Sequence, residues 1–195
     1  MKNERKHIKK SLSVLVLCVL ILSALCSSLT SCGEEEVKLI SKTEAGLNFV
    51  IPENFERTYK IYDTYKDPND PEKTQVKWPV LEYSNDEIGF VVDLKQYSDY
   101  ELSYGATVKQ CTEAIIDKMG LDAAITYDDA RNVAQFDTWA SDEEGAEAYY
   151  SYIVILPAAN GIYIARYVCE GSEETIEKHV SEFAEWATKL SVVNA

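Results

Sequence analysis

The chain has 195 residues, 33 acidic against 19 basic side chains and a net charge of −14. Five cysteines and 46% hydrophobic residues place it among ordinary globular chains, neither disordered nor a disulfide-dense miniprotein. So acidic a surface excludes nucleic-acid binding, which rests on Lys and Arg meeting phosphates.

The basic residues are unevenly placed. Lys2, Arg5, Lys6, Lys9 and Lys10 precede an apolar run from Leu12 to Leu25, which is shorter than the roughly 20 residues that a membrane span needs. Small residues follow, ending in Leu29-Thr30-Ser31-Cys32. This succession is a secretion signal, and its last four residues resemble the bacterial lipobox, in which the cysteine is acylated and becomes residue one. Leu25 before Cys26 is too bulky for that role, and Cys18 lies inside the apolar run. The resemblance implies a lipid (palmitate among its acyl chains) on Cys32 and a place on the extracytoplasmic face of a cell membrane. Two acyl chains hold far more firmly than one, at about 0.8 kcal/mol per buried methylene.

Loss of residues 1–31, which carry five basic side chains and one acidic, takes the net charge from −14 to −18 and leaves 164 residues, enough for one core. That charge also repels anionic headgroups, so the membrane contact falls to the lipid alone. Residues 32–44, opening Gly33-Glu34-Glu35-Glu36, read as an acidic tether, and residues 45–195 as a single domain. Cys111 and Cys169 remain in that domain. They are either a disulfide, worth about 4 kcal/mol for so long a loop, or two buried thiols acting as small hydrophobes.

In chain order, Gly46 to Ile51 alternates as a strand does until Pro52. Residues 63–73, with Asp67-Pro68-Asn69-Asp70-Pro71, read as a loop. Gln75 to Tyr83 and Ile88 to Leu94 form a strand pair. Pro79 marks the first as an edge or bulge, and the apolar second is buried on both faces. Thr107 and Gln110 form a capping box for a helix in which Val108, Cys111, Ile115 and Met119 share one face and Gly120 ends it. Strands at Val133–Ser141, Ala148–Leu156 and Gly161–Cys169 make a meander, turning at residues 142–145 and 157–160. Ser172 caps a last helix whose Ile176, Val180, Phe183, Ala187 and Leu190 line its core face.

This order predicts an α+β fold, an antiparallel sheet of about six strands flanked by helices. The opening Gly46–Phe55 (GLNFVIPENF), the hairpin, the capped helix, the meander and the terminal amphipathic helix together resemble the PsbP-like family. That family includes a photosystem II extrinsic protein and many bacterial lipoproteins. The resemblance covers residues 45–193 and implies an α/β/α sandwich. It transfers no functional residue, because family members share a scaffold and not an active site.

No motif for catalysis or cofactor binding is present: no Gly-x-Ser-x-Gly elbow, no Gly-rich phosphate loop and no zinc spacing. No catalytic residue and no cofactor is expected. His179, the one histidine after the signal, lies beside the packed face of the last helix and reads as structural. Asp63, Asp67, Asp70 and Glu72, with Asn69, offer hard oxygen ligands for a divalent cation, although EF-hand spacing is absent and a solvated turn is the simpler reading. Thirteen tyrosines suit either packing or recognition, with Tyr97, Tyr100 and Tyr104 spaced as one packed turn before the first helix; Tyr59, Tyr62, Tyr65, Tyr97 and Tyr100 form a candidate interaction surface. The expectation is a non-enzymatic module that binds an envelope protein partner through the sheet edge or the tyrosine-bearing loops. The alternative is capture of a small ligand or cation by the acidic loop; a third reading, hydrolysis, needs His179 exposed in a cleft beside a serine and a carboxylate.

Overall fold

The computed structural model describes residues 37–58, 63–67, 70–77, 79–141 and 148–193. Strands β1 (Leu39–Glu44) and β2 (Leu47–Pro52) form a hairpin whose two turn residues, Ala45 and Gly46, both have positive φ (51° and 84°). A two-residue hairpin loop of this kind matches the right-handed twist of the strands. The expected tether therefore does not reach Glu44: Leu39–Glu44 pairs along the whole of β2. The sequence pattern conceals this strand because its residues alternate only between exposed and half-buried.

Strand β3 (Glu56–Arg57) opens the main sheet. The residues expected to form a loop at 63–73 instead lie largely in a separate antiparallel hairpin, β4 (Asp63–Asp67) and β5 (Asp70–Lys77), with its irregularity at Lys66/Asp67. The expected strand Gln75–Tyr83 is thereby divided, since β5 ends at Lys77 and β6 (Leu81–Ser84) pairs elsewhere. Beyond them come β7 (Ile88–Lys95), a 3-10 helix at Tyr97–Tyr100, α1 (Val108–Met119), β8 (Thr126–Asp128), β9 (Val133–Ser141), β10 (Ala148–Ala158), β11 (Gly161–Gly171), α2 (Glu173–Ala187) and β12 (Ser191–Val192). The sheet order is β3-β6-β7-β11-β10-β9-β8, antiparallel throughout, with β1-β2-β12 as a second, smaller sheet. Residues 38–195 make one compact unit, and its fold class is the expected α+β.

The two faces of the main sheet follow from side-chain alternation. Phe90, Val92, Tyr150, Val154, Tyr163, Ala165, Tyr167 and Cys169 face Leu47, Phe49 and Ile51 of β2 and Ile176, Phe183 and Trp186 of α2. The intervening residues Ala134, Phe136, Ile153, Ile155, Ile162 and Ile164 face Val108, Cys111 and Ile115 of α1. Because both faces are covered, the central strands are apolar almost continuously. Burying each of these large side chains contributes on the order of 1.5–3 kcal/mol.

Helix boundaries are set locally. The Thr107 hydroxyl accepts from the Gln110 amide while the Gln110 side chain accepts from the Thr107 amide, and Gly120 ends α1 in the left-handed region. Ser172 caps α2 through the Thr175 amide, with Glu173 and Glu174 at the positive end of its dipole.

Cys111 and Cys169 are unbridged thiols in different clusters on opposite faces of the sheet. The disulfide alternative is thereby corrected: the sheet itself separates the two sulfurs. Burial pushes both thiols above the ordinary range, and Glu87 adds to the effect at Cys169. A raised pKa leaves less thiolate at neutral pH, and the thiolate is the reactive form. In the mature chain with Cys32 acylated, both thiols should resist Ellman's reagent at pH 7 when folded and both should titrate in denaturant. A chain with no reactive thiol after denaturation would restore the bridge.

Candidate functional site

Three turns, the start of α1 and strand β12 meet at one edge of the unit around an open groove of about 1270 Å³. One wall is the segment from Tyr104 into the start of α1. The other comprises the β8–β9 turn with Arg131 and Asn132, the β10–β11 turn with Asn160, and β12. Gly46 of the β1–β2 turn completes the lining.

Tyr163 fixes the floor. Its hydroxyl donates to the Ala45 carbonyl at 2.8 Å and accepts from the Asn160 side chain at 3.0 Å. The approach is close enough that a Cβ on residue 46 would lie 2.6 Å from the Tyr163 hydroxyl oxygen. Glycine is required there both by this contact and by its positive φ. The hairpin β1–β2 is thus seated on β11 by a tyrosine hydroxyl.

Arg131 fixes the second wall. Its Nη2 donates to the carbonyls of Ala187 (2.9 Å) and Leu190 (2.8 Å), and its Nη1 lies 3.6 Å from the Asp128 carboxylate. Helix α2 has no basic residue in its last turn, so a cation from another element meets its negative end. The Asp128 side chain also accepts from the Arg131 amide, which shapes the turn.

Tyr104 is the exposed member, with 75% of its surface accessible. It stands edge-on to Tyr97 at 6.0 Å between ring centres. Tyr97 is itself buried, donates to the Ala158 carbonyl at 3.0 Å and has its hydroxyl pKa raised chiefly by burial. The expected tyrosine surface is therefore redistributed. Tyr97 is a buried support, Tyr100 is half-buried beneath the Lys118 ammonium (5.0 Å to its ring centre), and Tyr104 remains for contact. Tyr59 and Tyr62 lie outside the described residues, as does the side chain of Tyr65.

The acidic candidates fare similarly. The compact loop proposed to gather Asp63, Asp67, Asp70 and Glu72 is a hairpin, in which Asp63 pairs with Lys77 and Asp67 with Asp70. Residues 63 and 67 are four apart on one strand, about 13 Å along it; the four side chains lie outside the described residues. Among the described residues no group of three or more ligating side chains could hold a metal ion. A second recess, of about 440 Å³, is lined by Glu82, Asp86, Glu87 and Glu170 at the β6–β7 turn.

His179 is buried in α2. Its Nδ1 is 2.7 Å from Glu182, its Nε2 is 3.7 Å from Glu87, and its ring stacks on Phe183 at 5.8 Å. The exposed imidazole that a His179-based hydrolase requires is not present. Among the described residues, no histidine and no cysteine lines the large groove.

Among the residues that sequence reasoning passed over are Arg131, Asn132, Asn160 and Ser191. They belong to turns far apart in the chain, and the one local clue is the polar run Asp128-Asp129-Ala130-Arg131-Asn132, whose last residue has φ 53°. Replacing Arg131 by alanine should cost about 1.5–3 kcal/mol, because two carbonyls lose a charged donor. Lysine should recover only part of this, having no planar fork. Thermal unfolding of both variants measures it; equal stability to the parent would show the clamp to be idle.

Among the described residues no helix is long and apolar enough to cross a membrane. No protein-family model and no curated protein matches the chain. Among the solved structures similar to it are the two that follow. One is the crystal structure of LpqN, involved in cell envelope biogenesis of Mycobacterium tuberculosis, at 9% identity over 82% of this chain and 92% of that one, with TM-score 0.36. The other is the solution structure of cyanobacterial PsbP (CyanoP) from Synechocystis sp. PCC 6803, at 13% identity over 85% of this chain and 99% of that one, with TM-score 0.33. No residue of either is transferred to this chain.

Proposed function

We propose that this chain is a lipid-anchored, extracytoplasmic and non-enzymatic interaction module of the bacterial cell envelope. Its groove receives a segment of an envelope protein partner. The location rests on Leu29-Thr30-Ser31-Cys32 and the basic, apolar stretch before it. The binding role rests on Tyr104, an aromatic ring 75% exposed and backed by the buried Tyr97. A tyrosine so placed offers a large contact area for two side-chain torsions, which is why tyrosine is common among residues that dominate interfaces.

The surroundings favour a polypeptide ligand. Asn132, Asn160, Thr107 and Ser191 ring the groove with uncharged donors and acceptors. Such groups can meet a backbone without demanding a particular charge. Lys109 and Arg131 stand on the rim of a protein that is otherwise strongly acidic. The size of the groove admits several residues of extended chain, although affinity follows from the central anchor more than from area.

Two substitutions in the full-length chain separate location from binding. Cys32→Ser should release the processed protein from the membrane fraction. A photo-crosslinking amino acid at Tyr104 should give one discrete protein adduct in intact cells. The same group at Met119, exposed on α1, should give none. Membrane retention of Cys32→Ser would contradict the anchor. Identical adducts from both positions, or none from Tyr104, would contradict the groove.

A further inference from the structure

Among the described residues the outer edge of β9 is unpaired beyond Gln135. Strand β8 occupies that side only from Val133 to Gln135; from Phe136 to Ser141 β9 pairs with β10 on its inner side and with no strand among the described residues on its outer side. Exposure agrees, since Asp137 and Ala140 are exposed and Trp139 is 47% accessible. An unpaired strand presents a row of backbone donors and acceptors to any chain that can lie beside it. Proteins that must stay apart guard such edges with lysine, proline or bulges. Phe136-Asp137-Thr138-Trp139-Ala140-Ser141 contains no lysine, proline or glycine, and the one charge is that of Asp137.

We propose that this edge pairs with the same edge of a second copy, antiparallel about a two-fold axis at Thr138, so that two main sheets become one. The pattern of side chains selects both the occupant and the register. Same-face pairing in a two-fold ladder requires the axis to pass through a residue, because side chains alternate between faces. With the axis at Asp137, two carboxylates oppose each other. With the axis at Trp139, two indoles do. With the axis at Thr138, large meets small on both faces: Asp137 lies across from Trp139, Phe136 across from Ala140, and Thr138 across from its own copy, a favourable cross-strand pair. The five residues from 136 to 140 also fit the free length of edge without displacing β8. The ladder is short, and both partners are acidic. Association is therefore weak in dilute solution and strengthens with salt, which screens the long-range repulsion.

Cysteine cross-linking of the mature chain tests this, with Cys32 replaced by serine and the native thiols buried. At the axis, the two Thr138→Cys side chains would have Cβ atoms about 4.5–5.5 Å apart, close to disulfide reach. The two Ala140→Cys side chains would be on the order of 13 Å apart. Mild oxidation should therefore dimerise the first and leave the second monomeric. Sedimentation velocity gives an independent reading if Thr138→Cys fails to fold. Trp139→Glu sets like charges against Asp137 twice and should weaken self-association about tenfold. Trp139→Lys sets opposite charges there and should preserve it. No cross-link, equal cross-linking of both positions, equal effects of Glu and Lys, or a parent chain monomeric at every concentration and salt would each overturn the proposal.

Discussion

One buried hydroxyl organises the layers on the α2 side of the main sheet. Tyr167 stands on β11 with its ring 4.7 Å from Phe90 and 5.7 Å from Phe183, so that it joins β7 to α2. Its hydroxyl donates to the Val50 carbonyl of β2 at 3.0 Å. The small sheet thus meets the main sheet through a phenol that is fully buried and whose ionisation burial pushes far above the ordinary range. Without that bond the Val50 carbonyl would lose its partner, at a cost of about 1–3 kcal/mol. Phe49, stacked on Phe90 at 4.9 Å, completes the same contact from the β2 side.

The groove depends on this latch. Gly46 lines it only because β2 is held against β11, where Tyr163 grips the Ala45 carbonyl four residues along from Tyr167. Arg131 then ties the end of α2 to the β8–β9 turn on the opposite wall. The Tyr104 wall is held to β10 through the Tyr97 hydroxyl on the Ala158 carbonyl, and the other wall to the end of α2 through Arg131. An exposed tyrosine on such a frame can bind with little ordering cost, because its support is already ordered. The edge of β9 is a different kind of surface, in which backbone rather than side chains would carry the contact.

The main elements were legible where a pattern had one physical cause. The meander strands and both helices were readable from alternation, from capping residues and from Gly120, and β7 from its unbroken apolar run. Of the small sheet only β2 was, because Leu39–Glu44 buries no face fully and looks like a polar tether. The hairpin β4–β5 was hidden by Pro68 and Pro71, which argue for a loop in sequence, yet Pro71 lies within β5, in the stretch where the register against β4 is irregular. Of the groove, only Tyr104 and the Thr107 cap were visible. Arg131 and Asn160 come together through topology, and nothing in the residues beside them announces it. The tyrosines divide for the same reason: spacing placed Tyr97, Tyr100 and Tyr104 together, but burial decided which of them supports and which is offered.

The central claim is that the Tyr167 hydroxyl latches the small sheet to the main one. Tyr167→Phe keeps the ring and removes only the donor. Site-resolved hydrogen exchange on that variant should show β1, β2 and β12 losing protection by about tenfold or more, in line with one lost buried bond, while β10 and β11 keep theirs. Unchanged exchange in β2, or an equal loss across both sheets, would contradict the account.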